Sequence, residues 1–250
     1  MTNLKKLFPP QCTQLPELKS LVSEIVEELP SFKYTSLANS EIDYYGASYN
    51  IARILGLEGI PYTRASWHHG WNRYPLVTPE LFIHEDCVAF CEVKKVPNLV
   101  ATQQIEAFLK ANDYPHATAV GDPFIYTNKP TVERIPNSIL IVPEHSLKEK
   151  NAYYEKLKSF YLPENPDVLK SRFSMVAACL SGFCVLGNDY LDFYEKSGIP
   201  WITGAWLHDA YALQRIRNLF SQFEYVATNA IGTHIPYAGY CGCKLIYYGK

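Results

Sequence analysis

The second half of the chain alternates short, almost entirely apolar segments with amphipathic ones, and this pattern restricts the fold more than any other feature. The apolar segments have the length of strands and lie at 138–142, 175–180, 198–203, 225–228 and 244–248. Helical periodicity is present between them, over 147–161, 208–223 and 234–241. Strands without a polar face are typical of a parallel sheet that helices cover on both sides. The sequence therefore predicts an α/β fold with a parallel sheet in this half.

The first half mixes the two kinds of element less regularly. We predict helices at 14–29, 41–56 and 102–112, and strands at 60–66, 80–84, 87–91 and 117–120. A polar segment with two prolines, 127–137, is the best candidate for a linker. We therefore predict two Rossmann-like α/β lobes with parallel sheets flanked by helices, a first over residues 1–130 and a short second over residues 131–250.

Composition excludes several classes of protein. The net charge of −2 over 250 residues lacks the basic field of a general nucleic-acid binder, so we expect no nucleic-acid partner. No apolar run reaches the roughly 18 residues that a membrane-spanning helix needs. The seven cysteines are odd in number and form no CxxC pair, so we expect reduced thiols in a cytoplasmic protein, and no metal.

Candidate functional residues follow the predicted strands, where α/β proteins bind their ligands. The segment Thr228-Asn229-Ala-Ile-Gly232-Thr233-His234 joins a strand to a helix. Its glycine permits close approach of the backbone, and a helix start attracts phosphate or another anion. The alternative is an ordinary turn in which Thr233 caps the helix.

A second candidate segment, Pro143-Glu144-His145-Ser146, follows the strand 138–142. His145 is suited to donate to a phosphate, and Glu144 to act as a base or to bind ribose hydroxyls. In the alternative interpretation Ser146 caps a helix and His145 is an ordinary surface residue.

The first lobe offers an aromatic cluster at Trp67-His68-His69-Gly70-Trp71. Adjacent histidines rarely reach one metal ion, whereas aromatic rings beside polar groups suit a sugar. His69 is the preferred candidate to touch the reacting centre, as a base or as a stabiliser of the leaving group. A packed aromatic corner is the alternative.

Two aspartates are further candidates for an acid or base. Asp122 precedes a proline and has the usual position of a turn residue. Asp209 stands at a predicted helix start, where capping explains it equally well. We interpret Arg215 and Arg217, on that helix, as part of a solvated face.

Several common signatures are absent. The sequence contains no phosphate-loop GxxxxGK[ST] motif, no GxGxxG after a strand and no GxSxG serine elbow.

The order of the motifs HHGW, GDPFIY, PEHS and TNAIGTHIPYAGYCG resembles that of bacterial glycosyltransferases of surface-polysaccharide assembly, of the capsule or O-antigen type. These enzymes have two Rossmann lobes, the GT-B architecture. The resemblance covers roughly residues 60–249, and Thr233 stands where we expect a serine, which keeps the hydroxyl.

The resemblance implies a nucleotide-sugar donor and a glycan or lipid-linked acceptor, without a metal or other cofactor. The donor would lie on the second lobe and the acceptor on the first, and one of four candidates would deprotonate the acceptor if the reaction inverts. We assign the donor site to His145, Ser146, Thr228, Asn229, Gly232, Thr233 and His234. We assign the acceptor site to His68, Gly70 and Trp71, and the candidate catalytic groups are His69, Asp122, Glu144 and Asp209.

The sequence leaves two other functions open: a pyruvyl or phospho-sugar transferase of the same pathways, and a truncated protein that binds a nucleotide or glycan without turnover. Peripheral contact with the inner face of the membrane and the oligomeric state also stay open. Compared with the family, the chain stops soon after the predicted strand 244–248, so we expect a second lobe that is either minimal or truncated.

Overall fold

The computed structural model describes a defined part of the chain. The described residues are 29–33, 45–58, 65–67, 97–144, 162, 165–187, 190–207 and 209–248. Their strands are β1 (Ser66–Trp67), β2 (Asn98–Val100), β3 (Ala117–Ala119), β4 (Ile135–Ile141), β5 (Met175–Leu180), β6 (Trp201–Thr203), β7 (Phe223–Thr228) and β8 (Lys244–Tyr247). Their α-helices are α1 (Ala47–Ile54), α2 (Gln103–Ala111), α3 (Pro166–Arg172), α4 (Gly182–Leu186), α5 (Leu191–Ser197), α6 (Ala212–Gln222) and α7 (His234–Tyr240), and a 3₁₀ helix spans Pro123–Tyr126.

A parallel sheet organises the second half of the described chain. Its five described strands lie in the order β6-β5-β4-β7-β8, and every neighbouring pair is parallel. The chain first adds strands on one side of β4 and then returns to add β7 and β8 on the other side. This reversal of strand order makes the fold Rossmann-like and creates a switch point between β4 and β7.

Both faces of this sheet are apolar, because alternate side chains of each strand enter different cores. Leu140 of β4 and Val226 of β7 pack with Leu213, Ile216 and Phe220 of α6. On the opposite face, Ile139, Ile141 and Ala178 pack against α3, α4 and α5, which contribute Leu169, Cys184 and Tyr194. Helices therefore cover the parallel sheet on both sides, as the uninterrupted apolar strands predict.

A second parallel sheet lies in the first half. It has the described strand order β1-β2-β3, and α2 connects β2 to β3. Ile105 and Leu109 of α2 pack against Val100 and Ala117. Thr102 begins this helix by accepting a hydrogen bond from the N–H of Ile105 at 3.2 Å. The prediction of a helix at 102–112 followed by a strand is confirmed.

Early parts of the chain pack against the larger sheet's helices. Leu29 and Tyr45 join the core that contains α6. The N–H of Tyr45 donates to the C=O of Leu207 at 3.1 Å, and the N–H of Ala210 donates to the C=O of Lys33 at 2.8 Å. The division of the chain near residue 130 stays a prediction.

Several elements differ in their bounds from the sequence-based expectations. β4 begins at Ile135 rather than 138, inside the segment interpreted as a linker, and α6 begins at Ala212 rather than 208. The three short helices α3, α4 and α5 are not among the predictions. The predictions at 80–84, 87–91 and 147–161, and almost all of those at 14–29 and 60–66, lie outside the described residues.

The interpretation of Arg215 and Arg217 as a solvated face is wrong. Their exposed fractions are only 5% and 7%, because other segments cover α6 on that side. The Arg215 guanidinium lies 3.8 Å from the centre of the Phe32 ring and donates to the C=O of Pro30 at 2.5 Å. The Arg217 guanidinium lies 4.4 Å from the centre of the Tyr240 ring. Both side chains are part of the packing.

Among the described helices, none has the length and apolarity to cross a membrane.

Candidate functional site

The switch point brings two of the predicted segments together. β4 and β7 are hydrogen-bonded neighbours through Ile141 and Ala227, so the residues that follow them emerge side by side at the carboxyl edge of the sheet. The N–H of Val142 continues this pairing by donating to the C=O of Ala227 at 2.7 Å. Glu144 and the segment 228–234 therefore share one edge, where α/β folds bind ligands.

Glu144 is fixed through its backbone. Its N–H donates to Oδ1 of Asn229 at 2.9 Å, a bond that joins the two segments directly. Its C=O accepts a hydrogen bond from the hydroxyl of Tyr190 at 2.8 Å. No described residue donates to the carboxylate of Glu144 or forms an ion pair with it, and the side chain is half-buried. The described residues therefore fix the backbone of Glu144 without bonding to its carboxylate.

Thr228 and His234 form the other part of this edge. Oγ1 of the buried Thr228 lies 2.7 Å from Nε2 of His234, and it also accepts from the N–H of Ala230 at 3.2 Å. A Cβ on Gly232 would meet the His234 ring at 3.2 Å, so a larger residue there would press on the imidazole. The turn thus holds the half-buried histidine beside the end of β7.

Thr233 occupies the position before α7, but its side chain makes no capping hydrogen bond to the helix. The ordinary-turn interpretation, in which Thr233 caps the helix, therefore lacks its main interaction. α7 itself is only 7 residues long.

Asp122 has the role of a turn residue. Its Oδ1 accepts from the N–H of Phe124 at 2.9 Å at the start of the 3₁₀ helix, and from the hydroxyl of Tyr237 at 2.7 Å. The rings of Phe124 and Tyr237 are stacked with centres 3.9 Å apart. Burial raises the pKa of Asp122, although both hydrogen bonds act in the opposite direction. Asp122 therefore ties the end of the first half to α7.

Asp209 is almost fully buried, with 1% of its surface exposed. Its Oδ1 accepts from the N–H of Lys33 at 2.9 Å and from the N–H of Tyr211 at 3.0 Å. Burial raises its pKa, and the hydrogen bonds and the charge of Arg215 only partly oppose this effect. Asp209 holds residues 29–33 against the start of α6, which is a structural role.

The remaining predicted site residues, His68, His69, Gly70, Trp71, His145 and Ser146, lie outside the described residues. Of the predicted residues that the structure describes, Glu144, Thr228, Asn229, Gly232, Thr233 and His234 belong to the edge at the switch point. Asp122 and Asp209 act elsewhere in the packing.

Sequence reasoning missed Tyr190. This residue precedes α5 and has a φ of 72°, in the left-handed region that side chains other than glycine seldom adopt. Its contact with Glu144 spans 46 residues, and no local pattern in the sequence indicates such a pair.

Groups of three or more His, Cys, Asp or Glu side chains that would suit a metal ion do not occur among the described residues. No protein-family model, curated protein or solved structure gives a significant match to this chain.

Proposed function

We propose that this protein is a metal-independent glycosyltransferase that moves a sugar from a nucleotide-sugar donor to a glycan or lipid-linked acceptor in the cytoplasm. The observation that carries the proposal is the meeting of Glu144 with the segment Thr228–His234 at the switch point of a Rossmann-like sheet. Nucleotides bind at this position in folds of this class. The order of motifs, which resembles surface-polysaccharide glycosyltransferases, supports the choice of a sugar nucleotide.

The proposed donor site uses the polar groups of the turn after β7. His234, beside Thr228, is suited to donate to a phosphate oxygen, and the hydroxyl of Thr233 adds a second donor. Such donors stabilise the negative charge that develops on a departing nucleotide diphosphate. His145 and Ser146 follow Glu144 in sequence and complete the proposed site.

Glu144 is the best candidate for the base among the three candidate carboxylates that the structure describes, which are Asp122, Glu144 and Asp209. Asp122 and Asp209 already accept two hydrogen bonds each and hold parts of the chain together. The carboxylate of Glu144 accepts none from the described residues and lies at the ligand-binding edge. A carboxylate at this edge that no described residue engages is suited to accept the proton of an acceptor hydroxyl. His69 remains the candidate from the first lobe.

A binding panel tests the donor. We expect one nucleotide sugar, together with its free nucleotide, to raise the melting temperature, because a ligand that binds only the folded state stabilises it. Inorganic phosphate and a free sugar serve as controls for weak binding. The absence of any shift with the whole panel would overturn the proposed function.

Turnover of the stabilising donor tests the chemistry. We expect hydrolysis or transfer of its sugar, with loss of donor binding in His234→Ala and His145→Ala. Glu144→Gln should retain donor binding and lose most of its kcat. Glu133→Gln is the matched control, since Glu133 is exposed and precedes β4. Donor binding without any turnover would instead indicate a non-catalytic binding protein.

A further inference from the structure

We propose that Tyr190 and Asn229 are positioning residues that orient Glu144 toward the ligand at the switch point. This inference rests on the proposed function, which supplies the reaction in which Glu144 takes part. Neither residue needs to touch the reacting atoms for this role. Tyr190 is new to the site, and Asn229 gains a role besides the donor contact suggested by its sequence position.

The two side chains hold Glu144 from both ends of its backbone. Asn229 accepts from the N–H at 2.9 Å and Tyr190 donates to the C=O at 2.8 Å. The two peptide groups that flank the Cα of Glu144 are thereby fixed, and with them the direction in which the side chain leaves the backbone. The sheet does not do this, because β4 ends at Ile141.

Tyr190 is placed for this contact by an unfavourable backbone conformation. A φ of 72° in a residue with a bulky side chain costs free energy, on the order of 1–3 kcal/mol, and persists only where the surroundings impose it. The ring is buried with the core of α3, α4 and α5, at 9% exposure, while the hydroxyl reaches Glu144. A phenylalanine would supply the same apolar ring, so the hydroxyl is what the contact with Glu144 requires.

The hydrogen bonds of Glu144 differ in one respect from those that pair backbone groups in an ordinary loop. Every backbone polar group of Glu144 has a partner, whereas no described residue bonds to its carboxylate. A reactive side chain on a fixed backbone is the pattern expected of a preorganised site, in which small errors of placement are costly. A purely structural pair would fix the loop without affecting the reaction of Glu144.

The test removes the hydroxyl of Tyr190 and compares turnover of the donor identified by the panel. We expect Tyr190→Phe to lower kcat by about tenfold, because misplacement by less than 1 Å already slows a reaction, and to leave KM within about twofold. Tyr225→Phe is the matched control. Its hydroxyl accepts from Lys244 at 3.4 Å in the first half of β7, away from the carboxyl edge, so we expect the kcat of this variant to equal that of the unmodified protein.

A second variant keeps the inference testable if Tyr190→Phe folds poorly. Asn229→Ala removes the oxygen that accepts from the N–H of Glu144, and we expect it to lower kcat at saturating donor by about tenfold. Asn229→Asp retains an oxygen acceptor for this N–H and should recover most of the lost kcat. A residue that only supports the loop would leave kcat at saturating donor unchanged in both variants.

The outcomes separate this inference from the function on which it rests. A loss of kcat in Tyr190→Phe with an unchanged KM, or a loss of kcat in Asn229→Ala that Asn229→Asp recovers, supports the positioning roles. Turnover of the donor with unchanged kcat in both Tyr190→Phe and Asn229→Ala overturns them while the proposed function stands. Absence of any donor binding overturns the proposed function and the positioning roles together.

Discussion

Two acidic neighbourhoods of the molecule use their carboxylates in opposite ways. The Asp209 carboxylate is almost fully buried and accepts hydrogen bonds from the N–H groups of Lys33 and Tyr211. The buried Arg215 lies on α6, the helix that follows Asp209. At the edge formed by β4 and β7, the backbone of Glu144 is fixed by Asn229 and Tyr190, but no described residue bonds to its carboxylate. Burial is much greater in the first neighbourhood than in the second.

The difference separates residues that maintain the fold from residues that are available for chemistry. A buried carboxylate with two backbone donors joins distant parts of the chain, and its loss leaves those donors without partners. A half-exposed carboxylate on a fixed backbone contributes little to folding. We therefore expect substitutions near Asp209 to lower the free energy of unfolding and substitution of the Glu144 side chain to leave it nearly unchanged.

The largest effect should come from Gly46, which packs against the Asp209 neighbourhood. Its φ is 74°, and a Cβ there would overlap the carbonyl oxygen of Ala210. We expect Gly46→Ala to lower the free energy of unfolding by about 4 kcal/mol, from backbone strain together with overpacking. Gly56→Ala is the matched control, because its φ is 64° and no described atom lies within 4 Å of its Cβ position.

Gly56→Ala should cost only about 1 kcal/mol, the part due to the left-handed backbone. Urea denaturation of both variants measures the difference. Equal losses for Gly46→Ala and Gly56→Ala would show that the contact with Ala210 does not matter.

Removal of the Asp209 carboxylate should be nearly as damaging. Asp209→Ala leaves the N–H groups of Lys33 and Tyr211 without an acceptor, so we expect a loss of about 3 kcal/mol in the free energy of unfolding. Asp209→Asn keeps an acceptor oxygen and should cost much less, because burial rather than charge pairing has the larger effect on the pKa of Asp209.

Urea denaturation distinguishes the two contributions. A loss in Asp209→Asn as large as that in Asp209→Ala would mean that attraction between Asp209 and Arg215 dominates. Asp167→Asn, on the exposed surface of α3, serves as the control for loss of an acidic charge.

Substitution of Asp122 should have a smaller effect on the free energy of unfolding, and this effect depends on pH. Burial raises its pKa above the ordinary value of 3.8, so between 3.8 and the raised value the folded protein binds a proton that the unfolded chain releases. The resulting stability is complete below pH 3.8 and is lost as the pH rises through the raised pKa. We expect Asp122→Asn to remove this contribution to the decline in the free energy of unfolding with rising pH. The variant should be at least as stable as the unmodified protein at neutral pH.

The free energy of unfolding, measured at a series of pH values from acid to neutral, tests this sign. Asp167→Asn should retain the decline. A steeper decline in Asp122→Asn than in the unmodified protein would contradict the assignment of burial as the main cause.

The sequence predicts much of the parallel sheet because the signal is local. Uninterrupted apolar runs such as 175–180 and 225–228 identify buried strands, and the stripe of Leu213, Ile216 and Phe220 identifies α6. The missed helix α3 also has a local signal: Asn165 accepts from the N–H of Asp167 at 2.9 Å, and Pro166 stands at the first helical position. Its 7 residues are too few to show helical periodicity clearly.

The candidate site is only partly predictable, because its decisive contacts are distant in sequence. The position after a strand marks Glu144 and Thr228 as candidates, but it marks Asp209 equally well. Only the contacts in the structure show that the Asp209 carboxylate accepts two hydrogen bonds, whereas no described residue bonds to that of Glu144. The burial of Arg215 likewise depends on Phe32 and Pro30, more than 180 residues away.

The smallest effect on the free energy of unfolding should come from substitution of Glu144. Its carboxylate accepts no hydrogen bond from the described residues, so Glu144→Gln should change the free energy of unfolding by less than about 0.5 kcal/mol. The backbone bonds to Asn229 and Tyr190 do not involve the side chain and should persist. Urea denaturation beside Glu133→Gln measures this, and a loss above about 1 kcal/mol would place Glu144 among the residues that maintain the fold. A Glu144→Gln protein that is stable and binds its donor without turnover would instead place Glu144 among the residues that take part in the reaction. The fold would then not depend on a carboxylate that the reaction requires.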